Sequence, residues 1–364
     1  MVCPHPPDGT SVPTGRGPST PADSEHTLST IAGRWIVPAR LPPPPSGAMN
    51  PRLRATAALQ GGVILRPQAL RAGLVDDEIA RLRAQGHWHG VRRGAYVPAE
   101  LWQSLDHEGR HRALTRAVHL QLTAPAVISH VSAAVMLGLP IWDLDLSCVH
   151  VTRADLHSPR REAGVHHHAG HLADDDVVIV DGVPVTSPAR TAVDLARTVD
   201  FEQAVVTADG VLRLPDVGPQ DLLDALDRAR SWQGARSAGR VITFADGRAE
   251  SVGESRHRVQ ILRLGLPVPD LQVVVSGPGG SSDRVDFLFE AHLTIGEFDG
   301  KGKYQRLLRN DETPQDAVWR EKRREDRLRE LGYEVVRPAW ADLYRDREVA
   351  QRYRRAFERS SRRR

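Results

Sequence analysis

Residues 250–345 constrain the fold more than any other stretch, because their apolar spacing changes period in a fixed order. Residues 250–264 repeat apolar positions at helical spacing, with Val259 and Leu262 on one side and Leu266 continuing it. Gly265 and Pro267 end that helix. Residues 271–276 read as a strand, and residues 277–282, rich in Gly and Ser, as a turn. Residues 284–290 and 293–299 are two further strands around a turn at Glu290-Ala291-His292. A basic loop over 300–309, a charged helix over 316–332 and a strand over 333–337 complete the segment. The expected order is helix, three-strand meander, helix, strand.

Charges fall on those strands at telling places. Asp286 sits between Val285 and Phe287, while Glu297 and Asp299 flank Phe298. Residues i and i+2 of a strand share a face, roughly 7 Å apart, so Glu297 and Asp299 point one way. Lys301 joins them if the strand continues. Two adjacent strands then gather Asp286, Glu297 and Asp299, and Glu254 of the first helix can join the group. Clustered carboxylates repel unless a cation lies between them, and Mg²⁺ is the usual solution. Such an ion polarises a phosphodiester and generates hydroxide, and a nearby lysine stabilises charge on the phosphate.

The runs Arg284-Val285-Asp286-Phe287, Gly296-Glu297-Phe298-Asp299-Gly300-Lys301, Glu321-Lys322-Arg323-Arg324-Glu325 and Gly332-Tyr333-Glu334-Val335-Val336-Arg337 resemble a DUF559-type domain. That family is similar to the very-short-patch-repair endonucleases within the PD-(D/E)XK superfamily. The resemblance covers about residues 250–345. It implies a restriction-endonuclease-like αβββαβ core and Mg²⁺-dependent phosphodiester hydrolysis. Asp286 and Glu297 match the metal ligands, and Glu254 the first-helix acid. The superfamily places lysine two residues after the second acid, where this chain has Asp299. The lysine role then passes to Lys301 or to Lys322.

At the other end, residues 51–97 read as three short helices and a hairpin. Pro51 opens a helix that Gly61-Gly62 stops, and Gly73 ends a second over 67–72. Asp76 is expected to cap a third helix carrying Ile79 and Leu82. Residues 87–97 form a strand pair with Arg92-Arg93-Gly94 at its turn. This is the layout of a winged helix-turn-helix. Arg81, Arg83 and Gln85 would enter the major groove, while His87, His89, Arg92 and Arg93 of the wing face phosphates. Asp77 and Glu78 repel phosphate unless they cap backbone amides. The alternative is a small helical domain for protein contacts.

Residues 99–245 read as a mixed, mostly helical region. Helices are expected over 106–122, 129–137, 188–197, 201–212, 218–232 and 235–244, and strands over 148–152, 166–168 and 177–185, the last turning at Asp181-Gly182. His166, His167, His168 and His171 are read as an exposed edge strand before an Asp-capped turn, in preference to a metal site. Ser129 and His130 are not read as a nucleophile and its base, since helix neighbours do not face each other.

Gly62-Val63-Ile64, Ala69-Leu70-Arg71-Ala72-Gly73-Leu74 and Val91-Arg92-Arg93-Gly94-Ala95-Tyr96-Val97 resemble the winged-helix domain of AbiEi-type antitoxins of type IV toxin–antitoxin systems. Ser129-His130-Val131-Ser132-Ala133-Ala134 and the run Val185-Thr186-Ser187-Pro188-Ala189-Arg190-Thr191-Ala192-Val193-Asp194-Leu195-Ala196 recur in chains of that kind as fold markers. The resemblance implies operator binding on double-stranded DNA, autoregulation and a cognate toxin as partner, and helix-turn-helix proteins often act as homodimers.

The expected fold class is therefore multidomain α+β. A disordered tail (1–48) precedes the winged helix-turn-helix (49–98), a mixed α/β middle region (99–245), the nuclease-like domain (246–345) and a basic C-terminal helix or tail (346–364). Leu41-Pro42-Pro43-Pro44-Pro45 favours polyproline II, and Met49 is an alternative start. The net charge of +3 is uneven: residues 49–120 and 301–364 are basic and the stretch between is acidic. Basic ends suggest a phosphate-backbone partner. Only Cys3 and Cys148 are present, and no apolar run approaches 18 residues. Both fit a reducing, cytoplasmic setting without a membrane span.

Overall fold

A computed structural model describes residues 50–277, 282–300 and 313–363. The stretch 1–48 and Lys301 lie outside the described residues. Among the described residues the architecture is mixed α/β with three sheets.

The first sheet is built on α1 (Pro51–Leu59), β1 (Ile64–Leu65), α2 (Arg66–Arg71), α3 (Asp76–Ala84), β2 (Trp88–Arg92) and β3 (Ala95–Pro98). Its strand order is β1-β3-β2, antiparallel throughout. Asn50 caps α1 by accepting the Arg52 N–H at 2.9 Å, and Gly61 and Gly62 leave the helix at positive φ. Asp76 does not cap α3. It is the first residue inside that helix, and its carboxylate holds Arg66 at 2.5–2.7 Å. Glu78 caps instead, accepting the Val75 N–H at 2.9 Å. Of the three acids at the head of α3, Glu78 is thus spent on the backbone and Asp76 on Arg66. Leu53, Ile64, Ala69, Ile79, Trp88 and Tyr96 form the small core.

The middle sheet has six strands in the order β6-β7-β5-β4-β9-β8. These are β4 (Val127–Ile128), β5 (Val149–Arg153), β6 (Arg160–Glu162), β7 (Val165–Ala169), β8 (Val177–Val180) and β9 (Val183–Thr186). Asp181 and Gly182 both take positive φ, as a two-residue hairpin turn requires. The histidine-rich strand β7 is not an edge strand. It lies between β6 and β5, pairing antiparallel with the first and parallel with the second. The three polar residues of β6 take the exposed edge in its place.

Over this sheet lie α5 (His107–Gln121) and α6 (His130–Leu137), and beyond it the helices Pro188–Thr198, Phe201–Leu212, Pro219–Arg228 and Ala235–Phe244 (α7–α10 after the short α4, Ala99–Ser104). Gly138 ends α6 in the left-handed conformation. The helical core is largely Ala, Val and Leu, which lets α7 approach α8 and α10 closely.

The third sheet has the order β10-β11-β12-β13: Asp270–Ser276, Ser282–Phe289, Thr294–Gly296 and Glu334–Val336. The first three pair as an antiparallel meander and β13 adds parallel to β12. Helix α11 (Val252–Arg263) precedes the sheet and α12 (Pro314–Glu330) precedes β13. Gly253 lets α11 touch the Phe298 ring, where a methyl group would overlap it. The last helix, α13 (Asp346–Ser361), buries Val349, Tyr353, Ala356 and Phe357 against Phe287 and Phe289. Arg256 of α11 ties this sheet to the middle region. It bonds Glu202 at 2.5 Å and stacks on Trp142 and Trp340.

Two buried histidines make folding pH-dependent. His111 donates from Nδ1 to the Leu146 carbonyl and accepts from the Ser132 hydroxyl, both at 2.8 Å. His257 donates from Nδ1 to Gln260 Oε1 and accepts from the Tyr353 hydroxyl, both at 2.9 Å. Both rings are fully satisfied as neutral imidazoles, and burial pulls each down to about 4. Their folded pKa lies below the unfolded one, so their stabilising effect is complete above about 6.5 and is lost as pH falls towards 4. Each therefore costs about 2 kcal/mol at pH 5 relative to pH 7. The urea midpoint is expected to drop between pH 7 and 5, and an unchanged midpoint would contradict these assignments.

Candidate functional site

The start of α2, Arg83 of α3, the β2–β3 hairpin and the end of α5 line a concavity of about 740 Å³. Arg66, Arg83, Arg92, Arg93, Tyr96 and Gln121 line it, and no carboxylate does. Arg83 lies over the Tyr96 ring at 5.7 Å. The guanidinium also packs beside Gly90 of the hairpin, at ordinary van der Waals distance. Arg92 is half-buried, donates to the Ala163 carbonyl at 3.4 Å, and has its pKa lowered by burial. Arg93 is exposed, and its carbonyl accepts from Gln121 at 3.0 Å.

The other residues expected on this face are placed differently. Arg81 and Gln85 are exposed on α3 and at its C-terminus, outside the lining of the concavity. The His89 ring is stacked on Trp102, centroids 4.3 Å apart, and burial lowers its pKa. It packs against the protein instead of projecting from the hairpin. Arg66, which the sequence did not single out, lines the concavity while held by Asp76.

In the third sheet the β11–β12 ladder ends with Phe287 opposite Gly296, and Asp286 and Glu297 lie one residue beyond that pair. Tyr353 is pushed up by burial and feels the charge of both carboxylates. The two acids thus converge, but protein donors hold them. Asp286 accepts the Phe298 N–H at 2.9 Å. Both oxygens of Glu297 accept from Arg324, at 2.7 and 3.1 Å. Glu254 accepts from Ser251, the Glu250 N–H and Gln272. Asp299 is half-buried where the chain past β12 bridges to Ala339. Lys322 is exposed and its ammonium lies 5.4 Å over Trp319. Both oxygens of Glu297 that would ligate the expected Mg²⁺ are thus taken by the Arg324 guanidinium, which an ion would have to displace. No hydrolytic step follows from this arrangement.

Four histidines meet over the middle sheet. His166 and His168 share one face of β7, and His150 of β5 is paired with His166. His130, at the start of α6, stacks on His168 with centroids 3.6 Å apart. The sequence singled out His166 and His168 but missed the convergence of His130 and His150. The signal was present as His-x-His in β7 and one histidine in β5, but only the non-local parallel pairing joins them.

Comparison with known proteins bears on the middle region. Two Mycobacterium tuberculosis proteins, the uncharacterized protein MT2308 of strain CDC 1551 / Oshkosh and the uncharacterized protein Rv2248 of strain ATCC 25618 / H37Rv, are each 33% identical to this chain over 167 residues. Those matches cover 46% of this chain and 59% of each relative, so the chain spans under two thirds of their length. The crystal structure of the RV2827C protein from Mycobacterium tuberculosis is similar at 16% identity and a TM-score of 0.35, covering 62% of this chain and 88% of that one. Residues 116–243, which carry the six-stranded sheet and helices α6–α10, match the family model of the AbiEi antitoxin C-terminal domain.

Proposed function

We propose that this chain is a DNA-binding transcriptional regulator of the AbiEi antitoxin type whose C-terminal domain has a PD-(D/E)XK-like core. The observation that carries the reading is the arginine-lined concavity between α3 and the β2–β3 hairpin. An order of α1-β1-α2-α3-β2-β3 with sheet order β1-β3-β2 supports a winged helix-turn-helix. In that reading α3 presents Arg81, Arg83 and Gln85 to a major groove, and Arg92 and Arg93 contact phosphates. His89 holds the wing against Trp102. The antitoxin match supports a cognate toxin as the protein partner. A homodimer would present two such faces to half-sites one helical turn apart. The test is titration of a fluorescent duplex with the full chain at several salt concentrations, where binding that weakens steeply with salt is expected.

A second reading, a Mg²⁺-dependent DNA endonuclease targeted by the winged helix, draws on Asp286 and Glu297 lying just past the β11–β12 ladder, where Asp286 accepts the N–H of Phe298. The Arg324 clamp on Glu297 weighs against it. With supercoiled plasmid and Mg²⁺ the wild-type protein is expected to leave the substrate intact. Nicking that needs Mg²⁺ and disappears in Glu297→Ala would establish the second reading in place of an inert nuclease-like core.

A further inference from the structure

We propose that His130, His150 and His168 form a binding site for one divalent transition metal of the zinc type, fastening the start of α6 to strands β5 and β7. One nitrogen from each ring can be chosen so that all three lie within 4.8 Å of one another. His168 Nε2 and His150 Nδ1 are 3.0 Å apart. Two ligands of a tetrahedral zinc, each about 2.0–2.1 Å from the ion, lie about 3.3 Å apart. The pair therefore already stands near ligand spacing. Imidazole is the donor preferred by zinc and its neighbours, and Mg²⁺ and Ca²⁺ prefer oxygen.

Three further observations point to a ligand. His130 Nδ1 is engaged by the Ser129 hydroxyl at 3.0 Å, which orients the ring and leaves Nε2 for an ion. Ser129 makes no capping bond to its helix, so its hydroxyl serves the histidine. The His130 backbone sits at φ 52°, a conformation that L-residues rarely adopt. That strained turn carries the ring over the sheet. His166, its ring 4.0 Å from His168 and 5.0 Å from His150, has a buried Nδ1 without a hydrogen-bond partner. It is a fourth imidazole at the edge of the group.

The surroundings suit a cation of this kind. His130 is buried, all three rings lie against one another, and a metal takes imidazole in its neutral form. Arg190 and Arg197, whose charges are felt at His130, are each ion-paired with Asp194. His150 and His168 are only part-buried, which leaves a path for an ion. The stacked rings of His130 and His168 must turn apart to aim their nitrogens at one point. This site stands independently of the DNA-binding reading.

The full chain, stripped with chelator, is titrated with Zn²⁺ alone by calorimetry, and Co²⁺ is used as a spectroscopic probe. One zinc per chain is expected, with a higher Tm and no response to Mg²⁺. Loss of outer-shell partners alone costs about 10–100-fold in metal affinity, so His150→Ala with His168→Ala is expected to lose at least 100-fold. His157→Ala, an exposed histidine outside the group, should leave affinity unchanged. If the double variant does not fold, zinc-edge absorption of the wild-type complex decides, since three imidazole nitrogens at about 2.0–2.1 Å are expected. Equal affinity in the folded double variant, or a zinc shell with fewer than three imidazoles, would overturn the proposal.

Discussion

Arg190→Ala is expected to lower the unfolding free energy by about 3–5 kcal/mol, because it strands buried carboxylates. Arg190 is 2% exposed. It reaches Asp194 from Nε at 3.0 Å and Asp176 from Nη1 at 2.9 Å, and also donates to the His171 carbonyl at 3.0 Å. Its guanidinium stacks on Trp232 at 4.4 Å. Asp194 is wholly buried, and burial raises its pKa despite the arginines beside it. Without Arg190, Asp194 keeps Arg197 and Asp176 keeps Arg228, both more exposed partners. The loss is therefore the desolvation of two acids, larger than the worth of the ion pairs themselves. Replacing Arg190 and Asp194 together with leucine should cost less than either single truncation. Urea unfolding of the three proteins checks this. A loss under about 1 kcal/mol for Arg190→Ala would show that water reaches the site.

Arg92→Ala with Arg93→Ala is expected to weaken binding to every duplex alike, on the order of 60-fold at 0.1 M salt relative to wild type. Each phosphate contact contributes about 0.9 to the slope of log affinity against log salt, so two lost contacts remove about 1.8. Carried over a tenfold fall in salt from 1 M, that slope change gives the stated factor. The loss carries no sequence preference, because phosphate contacts position a protein without reading bases. Arg83→Ala should behave differently. Its guanidinium is braced by Tyr96 beside the third helix, so its loss should fall unevenly across sequences. Arg230→Ala, exposed on the middle region, serves as the control that leaves the slope unchanged. A double variant that binds as tightly as wild type would remove Arg92 and Arg93 from the interface.

Much of the secondary structure was legible in the sequence because it is encoded locally. The helices Phe201–Leu212 and Ala235–Phe244 match their expected bounds, and Asp181-Gly182 makes the hairpin its residue types require. What the sequence hid was non-local. β6 is three charged residues that resemble a loop, so its pairing, which makes β7 internal, leaves no local trace. The apolar face of α13 was masked by its eight flanking charges, although Val349, Tyr353, Ala356 and Phe357 follow helical spacing. The carboxylate site turned on helical phase. In α12, Glu321, Arg324 and the buried Leu328 share one face, and Lys322 is turned about 100° from Glu321 towards solvent. Of the two lysines expected at that site, Lys301 lies outside the described residues and Lys322 faces solvent, while Arg324 reaches Glu297 from the same helix.

The arginine-lined face between α3 and its hairpin is the surface proposed to hold the phosphate backbone of duplex DNA. The direct measurement is the affinity of the full chain for a short duplex from 0.05 to 0.5 M salt. With Arg92 and Arg93 on phosphates, a linear fall of log affinity with log salt is expected, with a slope of about −2 or steeper. No measurable binding at the lowest salt, or binding whose strength does not change with salt, would contradict the account.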